Sequence, residues 1–406
     1  MHQPHRLKLL FVFGTRPEAI KLAPVIRYFR EHFAEEAHVD VCVTAQHREM
    51  LDQVLKVFDI RPQYDLNAMQ PNQTLASVTG VMLPALERVL ESCRPDLVFV
   101  QGDTTTTLCG ALASFYARIP VAHIEAGLRT GDLYQPFPEE LNRVIVSKLT
   151  AIHFAATKQA AANLDSEGIP AERIEVTGNT GIDALLYVKC RLENGELPNA
   201  CPLFIPNGCR MILVTAHRRE NFGAGIQQIC TALREIAESH DVHIVYPVHP
   251  NPRVSGPVRQ LLSGHSRITL TEPLDYVSFI DLLRHAYLLL TDSGGIQEEA
   301  ASIGKPVLVL RDKTERPEAI QAGTAILVGT GANDIVANTE RLLTNISEYQ
   351  RRSQLKNPYG DGTASARIAE YLFKCEWRSF QGPRDGRMPL KSIAQNSTSG
   401  VPQGGG

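Results

Sequence analysis

Residues 119–132 read IPVAHIEAGLRTGD, and the fold is decided by how they are read. A short apolar run with β-branched residues has the signature of a buried strand. It ends in Glu125, with Arg129 and Asp132 a few residues on. Those charges are either solvated loop residues or one wall of a site. What ends the other strands tells which.

The same unit recurs on both sides. LKLLFVFG (7–14), VDVCVTA (39–45), DLVFVQGD (96–103), AIHFAAT (151–157) and RIEVTGN (173–179) are further strand candidates, separated by helical patterns such as LPALERVLESC (83–93). One helix is expected from about Ala19 and another from Glu139. After an irregular stretch, NGELPNACPLFIPNGC (194–209), the pattern restarts with RMILVTAH, VHIVYPVHP, RITLTEP, YLLLTDSGG and KPVLVLRD. Strands alternating with helices imply βαβ units and parallel sheets with right-handed crossovers.

The expectation is an α/β protein with two Rossmann-like doubly wound domains facing a central cleft. Residues 1–180 form the first domain and 181–365 the second. A helix over 366–378 packs back on the first domain, and 379–406, rich in Gly, Ser, Pro, Gln and Lys, is a disordered tail.

Composition narrows the class. The 406 residues carry 41 Lys and Arg against 44 Asp and Glu, a formal charge of -3. Nothing in that balance favours nucleic acid or an acidic membrane surface as a partner. The eight cysteines form no CxxC pair and no zinc-ligand spacing with the histidines, so reduced thiols and no metal are expected. No stretch has the roughly 18 apolar residues of a membrane span, and MHQPHRLKLLFVFG leads into a Gly turn rather than a signal-peptide cleavage site. A cytoplasmic protein is expected.

Ligands of open α/β sheets bind outside the carboxyl ends of the strands. Here those ends carry Arg16, Glu18 and Lys21; Gln46 and His47; Asp103; Glu125; then His217 and Arg218, His249, and Asp292 with Ser293. Each has a plainer explanation alone. Asp103 before TTTT reads as an N-cap, Glu139 and Arg143 read as a surface i,i+4 pair, and a lone His217 or His249 reads as structural. Their joint placement on one rim of each sheet favours a site in the cleft between the rims.

TDSGGIQEEAASIGKP (291–306) is the best phosphate candidate. Gly294 and Gly295 open a helix whose first N–H groups can approach an anion, with Glu298 and Glu299 one turn in, in reach of ribose hydroxyls. Arg311, Lys313 and Arg316 add charges suited to a diphosphate. No G-x-G-x-x-G follows a strand and no G-x-x-x-x-G-K-[ST] is present, which argues against dinucleotide redox and P-loop phosphoryl transfer.

The blocks FGTRPEAIKLAPVI, VTAQHREMLDQVL, VQGDTTTT, HIEAGLRTGD with FPEELNR, TAHRREN, and TDSGGIQEEA with RDKTERPEA resemble, in order from Lys8 to about Glu376, the signature of the non-hydrolysing UDP-N-acetylglucosamine 2-epimerases. The resemblance implies a glycosyltransferase-B-type fold and conversion of UDP-GlcNAc to UDP-ManNAc with no added cofactor. It assigns Asp103, Glu125, Glu139 and His217 to catalysis. It assigns Arg16, Lys21, Arg143, Ser293, Gly294, Gly295, Glu299 and Arg316 to substrate. It further implies a homodimer and a second, activating UDP-GlcNAc, for which Gln46, Gln73, Arg218 and His249 are the contacts named.

The chemistry explains the carboxylates. H2 of an N-acetylhexosamine is not acidic, so the family removes it as the C1–O bond to UDP breaks, giving a glycal, and then adds UDP back. That route needs a base, an acid with a raised pKa and a stabilised leaving group. Three relatives of this chemistry keep every block or the fold: an epimerase of a UDP-diacetamido-uronate, a hydrolysing epimerase and a glycosyltransferase. A nucleotide-sugar-binding module without activity is the remaining alternative.

Overall fold

The computed structural model describes residues 6–44, 48–68, 73–198 and 209–374. Two parallel sheets organise it. The first contains β1 (Leu7–Phe13), β2 (Ala37–Val43), β3 (Tyr64–Asp65), β4 (Leu97–Gln101), β5 (Val121–Ala126), β6 (Ile152–Ala155) and β7 (Ile174–Val176), in the order β3-β2-β1-β4-β5-β6-β7. The second contains β8 (Arg210–Thr215), β9 (Val242–Pro247), β10 (Ile268–Thr271), β11 (Leu288–Thr291), β12 (Val307–Val309) and β13 (Ala325–Leu327), in the order β10-β9-β8-β11-β12-β13. Every neighbouring pair is parallel. The α/β reading therefore holds, with short β3 and β13 as edges that the apolar pattern alone does not announce.

Strand order reverses between β1 and β4 in the first sheet and between β8 and β11 in the second. At such a switch point neighbouring connections leave toward opposite faces and open a crevice at the carboxyl edge. The strands reaching it are near-continuous apolar runs because helices cover both faces. Phe11 and Phe99, on adjacent strands, stack at 4.5 Å between ring centroids and are fully buried. Truncating such a ring costs about 3–5 kcal/mol.

The first helix spans Arg16–His32, three residues earlier than the expected Ala19, because Thr15 caps it and Pro17 fits its first turn. Helix Thr180–Glu193 packs on helix Arg16–His32 and also on Tyr276–His285 and Gly294–Ser302, so one apolar cluster runs through the junction of the two halves. Helix Ala364–Lys374 returns to the first half, with Phe373 stacked on Phe33 at 4.6 Å and Tyr371 edge-on to Phe154. The segment 379–406 lies outside the described residues.

Candidate active site

The first rim is built on a fastener. Glu18 closes a capping box with Thr15, accepting from the N–H groups of Gly14 (3.1 Å) and Thr15 (2.7 Å). Its other oxygen accepts from the hydroxyls of Thr104 (2.6 Å) and Thr107 (3.2 Å) beyond β4. Glu18 is 1% exposed and locks the turns after β1 and β4 together at the switch point. Burial raises its pKa, against the pull of those hydrogen bonds.

With that frame set, Lys21 pairs with Glu125, and the Gln101 side-chain amide donates to the same Glu125 oxygen. Glu125 has a φ of 64°, and the β5–β6 register shifts between Ile124 and Ala126. A left-handed non-glycine residue in a bulge costs roughly 1–3 kcal/mol and re-aims its side chain. Burial pushes the Glu125 carboxyl upward, but the Lys21 ammonium, helped by Arg316 and Arg143, holds it below its ordinary value. Lys21 loses charge stability to burial and regains more from Glu125 and Glu298.

Asp103 receives Nε (3.0 Å) and Nη2 (2.8 Å) of Arg143 on one oxygen, Oδ2. Thr104, not Asp103, caps the following helix, so the N-cap reading of Asp103 does not hold. Arg143 also pairs with buried Glu140 at 2.8 Å, one turn back, rather than with Glu139. Glu140 in turn accepts from the N–H groups of Thr130 and Gly131, fixing the loop after β5. Glu139 Oε2 is buried without a hydrogen-bond partner among the described residues. Lys21, Asp103, Glu125, Glu139, Arg143 and Arg316 line one cavity of about 550 Å³.

On the second rim, Asp292 is fully buried and accepts from the N–H groups of His217 and Arg218, both at 2.7 Å, and from Asn221 at 3.0 Å. His217 Nδ1 stands 3.4 Å from the other Asp292 oxygen, and its ring stacks on His249 at 5.3 Å. Burial lowers the His217 pKa, and His249 and Arg218 add to this against Asp292, which favours the neutral ring.

Ser293 occupies the N-cap of helix Gly294–Ser302 without a side-chain cap bond, which leaves the N–H groups of the first turn to a ligand. Arg316 lies against this start, its guanidinium carbon 3.6 Å from where a Gly294 Cβ would stand. Arg316 is ion-paired with Glu298. Burial and then Glu298 push Glu299 up to about 8. Arg16 crosses the junction to the Leu274 carbonyl at 3.5 Å and is not in the cavity wall.

The sequence profile of the family described as UDP-N-acetylglucosamine 2-epimerase matches residues 31–373. A UDP-N-acetylglucosamine 2-epimerase of Yersinia pestis is 54% identical over 371 residues, covering 90% of this chain and 98% of its own. This chain belongs to the UDP-N-acetylglucosamine 2-epimerase family. The crystal structure of the Neisseria meningitidis UDP-GlcNAc 2-epimerase bound to UDP-GlcNAc is 49% identical, with a TM-score of 0.84, covering 91% of this chain and 100% of that one. A glycotransferase of kitacinnamycin, 14% identical with a TM-score of 0.58 over 91% of this chain and 100% of that one, shares the fold alone, as the glycosyltransferase-B-type reading requires.

Within this epimerase-family chain the residues singled out from sequence fall into two groups. Lys21, Asp103, Glu125, Glu139, Arg143 and Arg316 surround the cavity. His217, Arg218 and His249 cluster around buried Asp292 and line no part of that cavity. Gln46 and His47 lie outside the described residues, and Gln73 donates to the Ala68 carbonyl at 3.4 Å. Arg311 is a correction: it is locked between Glu220 and Glu315 and so is not a free diphosphate cation. Gln101 and Asn179 were missed, since a neutral amide at a strand or helix end carries no charge signal. The QGD and TGN turns after their strands were the available hint.

Proposed function

We propose that this chain interconverts UDP-N-acetylglucosamine and UDP-N-acetylmannosamine without hydrolysis and without an added cofactor. The observation that carries the reading is the cavity in which Asp103, Glu125 and Glu139 converge. Asp103 and Glu125 are each gripped through one oxygen, and the other oxygen carries no hydrogen bond among the described residues. Buried Glu139 Oε2 likewise has no hydrogen-bond partner among them. Proton removal and return at one carbon need a base and an acid, and these three carboxylates can share that work.

In the forward direction a carboxylate takes H2, the C2–H electrons form the C1=C2 bond, and UDP leaves with the C1–O pair. In the return step the diphosphate oxygen attacks C1 and a proton reaches C2 from the opposite face. Glu125, held ionised by Lys21, suits proton acceptance rather than delivery. Asp103 and Glu139 share the remaining acid/base work, Arg143 fixing Asp103. Arg16, Arg316, His217 and the uncapped helix start at Ser293, Gly294 and Gly295 stabilise departing UDP, and Glu299 holds the ribose. The glycal and UDP are kept together by closure of two domains, 1–180 and 181–365.

Proton NMR of the protein with UDP-GlcNAc in deuterium oxide tests this directly. UDP-ManNAc with deuterium at C2 is expected. Free ManNAc and UDP would instead mean hydrolysis, and an unchanged spectrum would point to the uronate or glycosyltransferase chemistry. The product supplies N-acetylmannosamine units to bacterial surface polysaccharide.

The protein acts in the cytoplasm as a homodimer. Exposed Val81, Phe115, Tyr116, Leu141 and Ile145 on the successively packed helices Leu75–Cys93, Thr105–Tyr116 and Glu139–Leu149 favour self-association there. Arg218 and His249, beside His217, with Gln46 and Gln73, contact a second UDP-GlcNAc. Among the described residues no helix is long and apolar enough to cross a membrane.

A further inference from the structure

Charges meet across the junction in an arrangement that includes one carboxylate, Glu298, that the reaction scheme does not use. Lys21 pairs with Glu125 in the first half of the chain, and Arg316 pairs with Glu298 in the second. The pairs also act on each other, since Glu298 favours the charged form of Lys21 and Arg316 that of Glu125. The result is a nearly buried, electrically neutral quartet spanning the junction.

Glu298 itself is not in the cavity wall. One of its oxygens takes Arg316 Nε, and the other takes the side-chain amide of Asn179, which caps helix Thr180–Glu193. The Asn179 N–H donates to the Tyr359 carbonyl at 2.7 Å, where the chain's two crossings between the sheets touch. The contact is backbone on backbone. A Cβ on Gly178 (φ 90°) would stand 3.2 Å from the Tyr359 carbonyl oxygen and 3.3 Å from the Gly360 Cα.

A guanidinium is planar, so fixing Nε fixes the direction of the two terminal nitrogens. Held by Glu298 on the Nε side, Arg316 has Nη2 without a hydrogen bond among the described residues, beside the start of helix Gly294–Ser302. A buried ion pair is a poor source of stability, because desolvation of both charges offsets their attraction. Its effect is on geometry.

We propose that Glu298, fixed by Asn179, is the positioning residue for Arg316, tying the arginine's place over the anion-binding helix start to the crossing between the domains. This rests on the functional reading only in taking a nucleotide diphosphate as the anion. Glu298 touches no reacting atom. It acts through Arg316.

The test compares Glu298→Gln, Asn179→Ala and the double variant by steady-state kinetics with UDP-GlcNAc and by phosphorus NMR of bound UDP. Glu298→Gln is expected to lower kcat about ten- to a hundredfold, the cost of a misplaced group, while UDP still binds. The phosphorus resonances of bound UDP shift with it. Asn179→Ala does the same to a smaller extent, and the double variant is no worse than Glu298→Gln, because both act through one contact.

Wild-type kcat and unshifted phosphorus signals in Glu298→Gln overturn the proposal, and so do additive losses in the double variant. If Glu298→Gln does not fold by circular dichroism, Asn179→Ala decides alone, with unchanged kcat and unshifted signals as the overturning result. A wild-type protein that binds UDP but leaves UDP-GlcNAc untouched sinks the epimerase reading instead. The phosphorus comparison still reads the positioning claim in that case.

Discussion

At the end of β5 a glutamate faces an open cavity, whereas past the end of β11 an aspartate is sealed from solvent. Both follow apolar strands and both are acidic, so the sequence presents them alike. The partners separate them. Asp292 is held by two backbone N–H groups and the Asn221 amide, which cannot leave without unmaking the turn after β8. Glu125 is held by the side chains of Lys21 and Gln101, which can change partners when a substrate arrives. Both carboxylates are held through one oxygen, so the partner type is what differs: one held by backbone shapes a loop, and one held by side chains remains available for chemistry.

Substitutions that act on one rim and spare the other would sharpen that contrast. The largest effect is expected at Asp103, which belongs with Glu125 by this criterion. Asp103→Asn should lower kcat on the order of a hundredfold to ten-thousandfold, as for removal of an acid/base group, with UDP affinity nearly intact. Unchanged turnover removes Asp103 from the mechanism. Asp292→Ala should act on stability, by about 3 kcal/mol, since it orphans buried donors in a packed turn. A denaturant midpoint that does not move would break the distinction between the two rims.

The architecture was legible because apolar runs end at the same kind of turn throughout, and β5, β8 and β11 needed nothing more. The wall of the cavity was legible as residue types at strand ends. Their partners were not. Arg143 sits four residues after Glu139 and three after Glu140, and either spacing allows a helical pair; only packing selects Glu140 and adds Asp103 from the turn after β4. The bulge that turns Glu125 inward leaves no mark in IPVAHIEAG, since nothing there demands a positive φ at a glutamate. The Asn179–Glu298 bond joins residues 119 apart, beyond the reach of any local pattern. Arg311 shows the converse error, a cation counted for a ligand that two neighbouring glutamates had already claimed.

Glu298 and Glu299 repeat the contrast between the rims within one helical turn, and the smallest predicted effect lies there. Neighbouring residues point about 100° apart on a helix, so Glu298 meets Arg316 and Asn179 while Glu299 meets neither. Burial, with the negative charge of Glu298, pushes Glu299 from an ordinary 4.5 up to about 8, against the pull of Lys21 and Arg16. Its folded pKa is thus above the unfolded one. The stability it contributes is full below about 4.5 and is lost as pH rises through about 8.

Binding has the opposite sign. Ribose hydroxyls donate to a carboxylate, so a nucleotide that engages Glu299 favours its ionised form and displaces a proton. UDP affinity should therefore rise with pH toward a plateau above about 8, and calorimetry in buffers of different ionisation enthalpy should register proton release near neutrality. Glu299→Gln should remove both the pH dependence and the proton release, and weaken binding on the plateau by about tenfold, the worth of one charge-assisted hydrogen bond. Glu299→Ala should weaken it at least as much. An affinity in the wild-type protein that stays flat across this range, with no proton exchanged, detaches Glu299 from the ribose.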